Sequence, residues 1–163
     1  MFAYRVLTLL FVFACALLAA PVHAQGVITD ESGCKIHNPM PHQDERVSWS
    51  GGCRNGFAEG EGVLEWYIGD RLEERYEGQM KSGWAEGEGT YVARNGMRYT
   101  GQWKQSKQSG RGVSQDPDGG TYEGEWRDGK PDGWGAYRAP TGEVFEGEWR
   151  NGEYVSGTSQ RSI

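Results

Sequence analysis

Beyond residue 24, two of the three histidines, two of the three cysteines and several pairs of carboxylates are the residues whose types could do chemistry in this chain. His37 and His42 would serve a Ser–His–acid hydrolase only if a carboxylate oriented one of them beside a nucleophile. Asp44 and Glu45 are near in sequence, yet no serine is marked out by its surroundings. Cys34-x2-His37-x4-His42 with Cys53 supplies four side chains of zinc-ligating type, in a spacing that matches no familiar ligand pattern. Glu73-Glu74, Glu123 with Glu125, and Glu146 with Glu148 have the composition of glycosidase pairs. The Gly-x-Gly elements at 60/62, 87/89, 110/112 and 133/135 lack the helix and the lysine of a phosphate loop. Carboxylates and glycines both recur along the chain, so a structural period accounts for them better than catalysis does. The expectation is a protein that is not an enzyme and uses no cofactor or metal.

That period is the strongest feature of the sequence. Tyr122-Glu123-Gly124-Glu125-Trp126 is followed by Gly129, Gly133 and Gly135. The frame recurs as Tyr76-x-Gly78-x-Met80 with Gly83, Gly87 and Gly89, and as Tyr99-x-Gly101-x-Trp103 with Gly110 and Gly112. Phe145-x-Gly147-x-Trp149 with Gly152 begins a last, incomplete copy. The starts at 76, 99, 122 and 145 lie 23 residues apart, a spacing that marks stacked repeats. A degenerate earlier copy opens at Trp49 with Gly51, Gly56, Gly60 and Gly62, 27 residues before Tyr76. Four extra residues therefore fall between Glu65 and Arg75.

Each repeat holds two strand-like runs, Tyr-Glu-Gly-Glu-Trp and then a run such as Gly133-Trp134-Gly135-Ala136-Tyr137-Arg138. Turn dipeptides separate them: Asn55-Gly56, Ser82-Gly83, Asp128-Gly129 and Asn151-Gly152 inside repeats, and Asn95-Gly96, Asp118-Gly119 and Thr141-Gly142 between them. Such residues tolerate the positive φ of tight turns. No room is left for a helix. Side chains alternate along a strand, so Tyr122, Gly124 and Trp126 share one face while Glu123, Glu125 and Arg127 share the other. A glycine that recurs at one register within a strand implies close approach of a neighbouring ring. The fold expected is all-β: an elongated, single-layer antiparallel sheet of stacked hairpins, aromatic on one side and charged on the other.

The 163 residues open with Arg5, an apolar run from Val6 to Leu18, and small residues at Val22-His23-Ala24, the pattern of a secretory signal peptide over 1–24. Cys15 lies inside the apolar run and raises lipidation as an alternative. Arg5 is the leader's one charge, so the formal charge of −6 becomes −7 in the mature chain. Nucleic acid is excluded as a partner, since it needs basic patches. No transmembrane segment is expected once the leader is removed. The mature chain is expected to be periplasmic or secreted, where its two cysteines, Cys34 and Cys53, would form a disulfide rather than bind metal or stay free.

The frame Tyr-x-Gly-x-Trp-x-x-Gly-x-x-x-Gly-x-Gly resembles the MORN repeat, in about four and a half copies over 49–152. The resemblance implies an antiparallel stack of hairpins that acts as a scaffold for protein contacts, with lipid binding proposed for some members. Small exported bacterial MORN proteins look similar in having a cysteine-bearing start. Met80 and Cys53 replace repeat tryptophans here, and Ser106 replaces a turn glycine. Residues 25–48 then read as an N-terminal cap that the disulfide would pin over the first hairpin, covering an edge. Residues 153–163 read as a flexible tail. The expected function is an interaction module of the bacterial cell envelope. It would bind a protein partner through its aromatic face (Tyr76, Tyr99, Trp103, Tyr122, Trp126, Tyr137, Phe145 and Trp149) or its sheet edge. Alternatives are a glycan, peptidoglycan or lipid ligand bound by the same face, or regulation of an envelope enzyme.

Overall fold

The computed structural model describes residues 26–38 and 42–160; the expected signal peptide, with Cys15, lies outside them. The described residues form thirteen strands and no helix: β1 Val27–Thr29, β2 Lys35–His37, β3 Glu45–Trp49, β4 Gly52–Arg54, β5 Phe57–Ile68, β6 Arg71–Lys81, β7 Trp84–Ala93, β8 Arg98–Lys104, β9 Lys107–Gln115, β10 Thr121–Arg127, β11 Lys130–Arg138, β12 Val144–Arg150 and β13 Glu153–Gln160. They join in one open sheet, in which β5 to β13 follow each other in chain order. Every pairing is antiparallel except the contact of β2 with β5 at Lys35 and Phe57. No helix long and apolar enough to cross a membrane occurs among the described residues.

Turn chemistry sets the two ends of each hairpin. Within repeats the turns place two consecutive residues at positive φ: Asn55 and Gly56, Ser82 and Gly83, Asp128 and Gly129, Asn151 and Gly152. This is the mirror-image turn whose twist matches a hairpin. The third repeat does it without glycine, holding Gln105 at φ 48° and Ser106 at 59°. Ser106 offsets that strain locally, because its hydroxyl accepts the Ala85 N–H at 3.0 Å. Between repeats only the glycine is left-handed, as at Gly96 (φ 94°), with Gly96 N donating to Ala93 O and Ala93 N to Met97 O. The hairpin tips are tied in a line: the amides of Gly83, Ser106, Gly129 and Gly152 donate to the carbonyls of Ala58, Ala85, Gln108 and Pro131.

Two segments depart from expectation. Glu153–Gln160, expected as a tail, is the last strand: Val144 pairs with Gln160, Gly147 with Gly157 and Arg150 with Glu153. Its turn-to-glycine stretch is one residue shorter than in the preceding repeat, and the register accommodates this with a smaller bulge at Val155. Glu45–Ser48, expected in the cap, already belongs to the sheet, because β3 pairs along the distal half of β5 while β4 pairs along its near half. The four extra residues lengthen β5 and β6 into the longest hairpin.

The cap proper is the β1–β2 hairpin. Lys35 N donates to Gly56 O and His37 N to Gly83 O, so β2 lies along the line of hairpin tips. Cys34 and Cys53 are disulfide-bonded, with Cα atoms 5.7 Å apart. His37 stacks on Trp84, ring centroids 4.0 Å apart and planes 7° from parallel. Asp30 gathers the loop by accepting the N–H groups of Ser32, Cys34 and Trp49. Burial opposes its charge, but the Ser32 hydroxyl and these amides outweigh that and hold its carboxyl below the usual range.

Candidate functional site

A single-layer sheet has two faces and two edges, and each was a candidate surface. The aromatic face is closed by its own rings. Tyr76 meets Trp103 edge-to-face at 5.3 Å, Trp103 meets Tyr99 at 5.0 Å, Tyr99 meets Trp126 at 5.1 Å, Trp126 meets Tyr122 at 5.2 Å and Tyr122 meets Trp149 at 5.2 Å. Each ring thus bridges two repeats, in the geometry that opposes a positive ring edge to a negative face. Tyr76, Tyr99, Trp103, Tyr122 and Trp126 are all less than a tenth exposed, while Tyr137, Phe145 and Trp149 are half-buried. Of the eight rings expected to bind, the first five are core.

Their polar ends are also occupied. The tyrosine hydroxyls of 76, 99 and 122 donate to the carbonyls of Gln79, Gln102 and Glu125. The indole N–H groups of Trp103, Trp126 and Trp149 donate to Gly89, Gly112 and Gly135. Burial pushes the Tyr99 and Tyr122 phenols up to about 12, and Tyr76 and Tyr91 higher still. These groups are neutral and engaged, which suits packing rather than proton transfer.

The glycines are the floor under this ladder. One glycine per strand stands in register across the sheet, from Gly62 opposite Gly78 to Gly147 opposite Gly157. A Cβ on Gly89 would stand 2.5 Å from the Tyr76 ring, and one on Gly124 would stand 2.6 Å from the Tyr122 hydroxyl. Only a residue without a side chain lets the ring lie down.

The opposite face is open and charged. Arg111, Val113, Glu123, Trp134, Ala136 and Glu146 border a concavity of about 470 Å3 on it. Trp134 is 60 % exposed. Attention to the aromatic stripe passes over it, although strand alternation puts it on this face, one residue out of phase with Gly135 and Tyr137. The remaining surface is the edge. β13 presents an exposed outer side eight residues long, whereas the opposite end finishes in the short β3 and β4, which pair along β5 beside the β1–β2 hairpin. The chemistry-bearing residues do not converge: Cys34 and Cys53 are bonded to each other, His37 packs on Trp84, and His42 lies exposed with its N–H on Glu45.

Among curated proteins no match to the chain is found. The family model described as the MORN repeat matches residues 49–71, 76–98, 99–121, 122–144 and 145–155. These segments take in the hairpins, the glycine register and the aromatic ladder described above, and cover more than half of the chain; it belongs to the MORN-repeat family.

Proposed function

We propose that this chain is a non-enzymatic interaction module of the cell envelope that holds a protein partner by adding a strand at β13. MORN repeats serve in general as protein- or membrane-interaction modules. The disulfide is consistent with an oxidising, extracytoplasmic compartment. The observation that carries the reading is the asymmetry of the two ends. One end finishes in the short β3 and β4, the latter stapled to the cap by Cys34–Cys53, while β13 is left with an exposed outer side eight residues long. Edge strands that must not pair are blunted by lysine, proline, inward charges or bulges. β13 reads Glu-Tyr-Val-Ser-Gly-Thr-Ser-Gln; its one charge is Glu153 at its start, and beyond the bulge at Val155 the stretch Ser156–Gln160 pairs in unbroken register. An extended segment of a partner would gain main-chain hydrogen bonds there, with specificity from alternate side chains.

The test is capture from an envelope extract by the oxidised protein, followed by amide hydrogen exchange on the recovered complex. Slowed exchange concentrated in 153–160 is the expected result. Retention on cell-wall polysaccharide or lipid vesicles with no protein bound would replace this reading with a glycan or lipid one. Protection that avoids β13 would remove the edge from the account.

A further inference from the structure

We infer that the concavity around Trp134 is a binding site for a cationic side chain, a lysine or arginine of a basic protein partner. The starting point is a break in the repeat. The residue between the paired glycines is Glu61, Glu88 and Arg111 in the earlier repeats, all charged and all on the open face. In the fourth repeat it is Trp134, and the indole stands 60 % exposed with none of the ring stacking that holds the other face together. The fold gains little from an exposed indole; half-exposed Val113 lines the same concavity, and contiguous apolar surface rimmed by polar groups marks interaction.

The charge around it selects the ligand. Glu123 and Glu146 are both cross-strand partners of Ala136, whose small side chain leaves a notch between them beside Trp134. Glu125 completes the rim. Among the described residues none of these three carboxylates is in an ion pair, whereas nearby Glu148 is paired with Arg150. Arg111 is the one cationic side chain bordering the concavity. A cation lodged there would meet the negative face of the indole and two or three unpaired carboxylates at once. The site lies two strands in from β13, so it does not rest on the edge reading.

Binding of a lysine tetrapeptide, acetylated at its N-terminus and amidated at its C-terminus, to the oxidised protein tests this, followed through the Trp134 indole N–H by NMR and, for the variants, by titration calorimetry. The same terminally blocked peptide with every lysine side chain acetylated serves as the neutral control. The expected results are a shift of that resonance, weakening as salt rises, and no shift with the acetylated peptide. Loss of the cation–π contact in Trp134→Ala should weaken binding roughly three- to thirtyfold. The double change Glu123→Gln with Glu146→Gln should also weaken it, and exposure of all three side chains keeps the fold intact, as an unchanged melting curve would show. Equal binding of the acetylated peptide, no binding of the lysine peptide at millimolar concentration, or unweakened binding by the Gln pair would each overturn the inference. A Trp134 shift with a neutral oligosaccharide alone would reassign the concavity to glycan. Either result leaves exchange protection at β13 as a separate question.

Discussion

Gly124→Ala should unfold this protein more easily than Glu123→Ala, though the two positions are neighbours in one strand. A Cβ at 124 would stand 2.5 Å from the Gly135 Cα, 2.6 Å from the Tyr122 hydroxyl and 2.7 Å from the Trp134 carbonyl. Two of those three atoms are backbone, so β10 and β11 must part locally, and the ring over them is displaced as well. Tyr122 would lift away from its hydrogen bond to the Glu125 carbonyl and from its edge contacts with Trp126 and Trp149. The hydrogen bond is worth about 1 kcal/mol and each ring pair about 0.5–1.5 kcal/mol. Alanine returns about 0.4–1 kcal/mol by restricting the unfolded chain. The net loss is roughly 1–3 kcal/mol, or about 4–12 °C in Tm. Glu123 is exposed on the other face, and its removal should stay within about 0.5 kcal/mol. Urea unfolding followed by tryptophan fluorescence, at an unchanged m value, reads the difference. Because Gly135 faces Gly124 across the strand pair and a Cβ there would strike the same Tyr122 ring, the costs of Gly124→Ala and Gly135→Ala should not add. Equal midpoints for Gly124→Ala and Glu123→Ala, or strict additivity of the glycine pair, would refute the ring-over-glycine account.

Three further outcomes follow from the same structure. Mass spectrometry of the protein from its native host should find Gln25 at the N-terminus and no free thiol, and reduction of Cys34–Cys53 should remove about 3 kcal/mol, as expected for a closed loop of roughly 20 residues. Tyr99 and Tyr122 should ionise near pH 12 by ultraviolet titration; since a raised phenol pKa means the folded chain holds the proton more tightly, their contribution to stability is full below pH 10 and is lost as pH rises toward 12. Ser106→Gly should be close to neutral, exchanging left-handed strain for the lost Ala85 hydrogen bond, whereas Ser106→Ala keeps the strain, loses the bond and should cost about 1–2 kcal/mol in the same urea assay.

The repeat was legible in the sequence because its register is written in residue types with few substitutes. Glycine at 124 and 135 and aromatics at 122 and 126 declare a face, and Asp128-Gly129 declares a turn, so strands β5 to β12 follow from local chemistry. The cap was legible as far as its disulfide. Its path was not, because β2 is held through backbone groups of Gly56 and Gly83, which any residue types at 35 and 37 could meet. β13 escaped for a related reason. Its glycine falls one residue early, and the strand is recognisable only from pairing with Gly147. The aromatic stripe announced itself as a candidate site, yet exposure depends on what the next repeat lays over each ring. That is a tertiary fact, and for Tyr76 to Trp126 it comes out as burial.

How the two faces divide their roles explains why function is hard to read here and where it has to be sought. A sheet one layer thick has no second layer to pack against, so its core must be built from rings that lean across from repeat to repeat. That requirement fixes Tyr, Gly and Trp on one face and repeats them. The open face carries no such requirement, and its residues are free to differ among repeats: at the position between the paired glycines they run Glu61, Glu88, Arg111 and Trp134. The residues that made the fold recognisable are therefore the least informative about partners. Specificity belongs to the positions where the repeats disagree, and Trp134 is the largest disagreement on the surface.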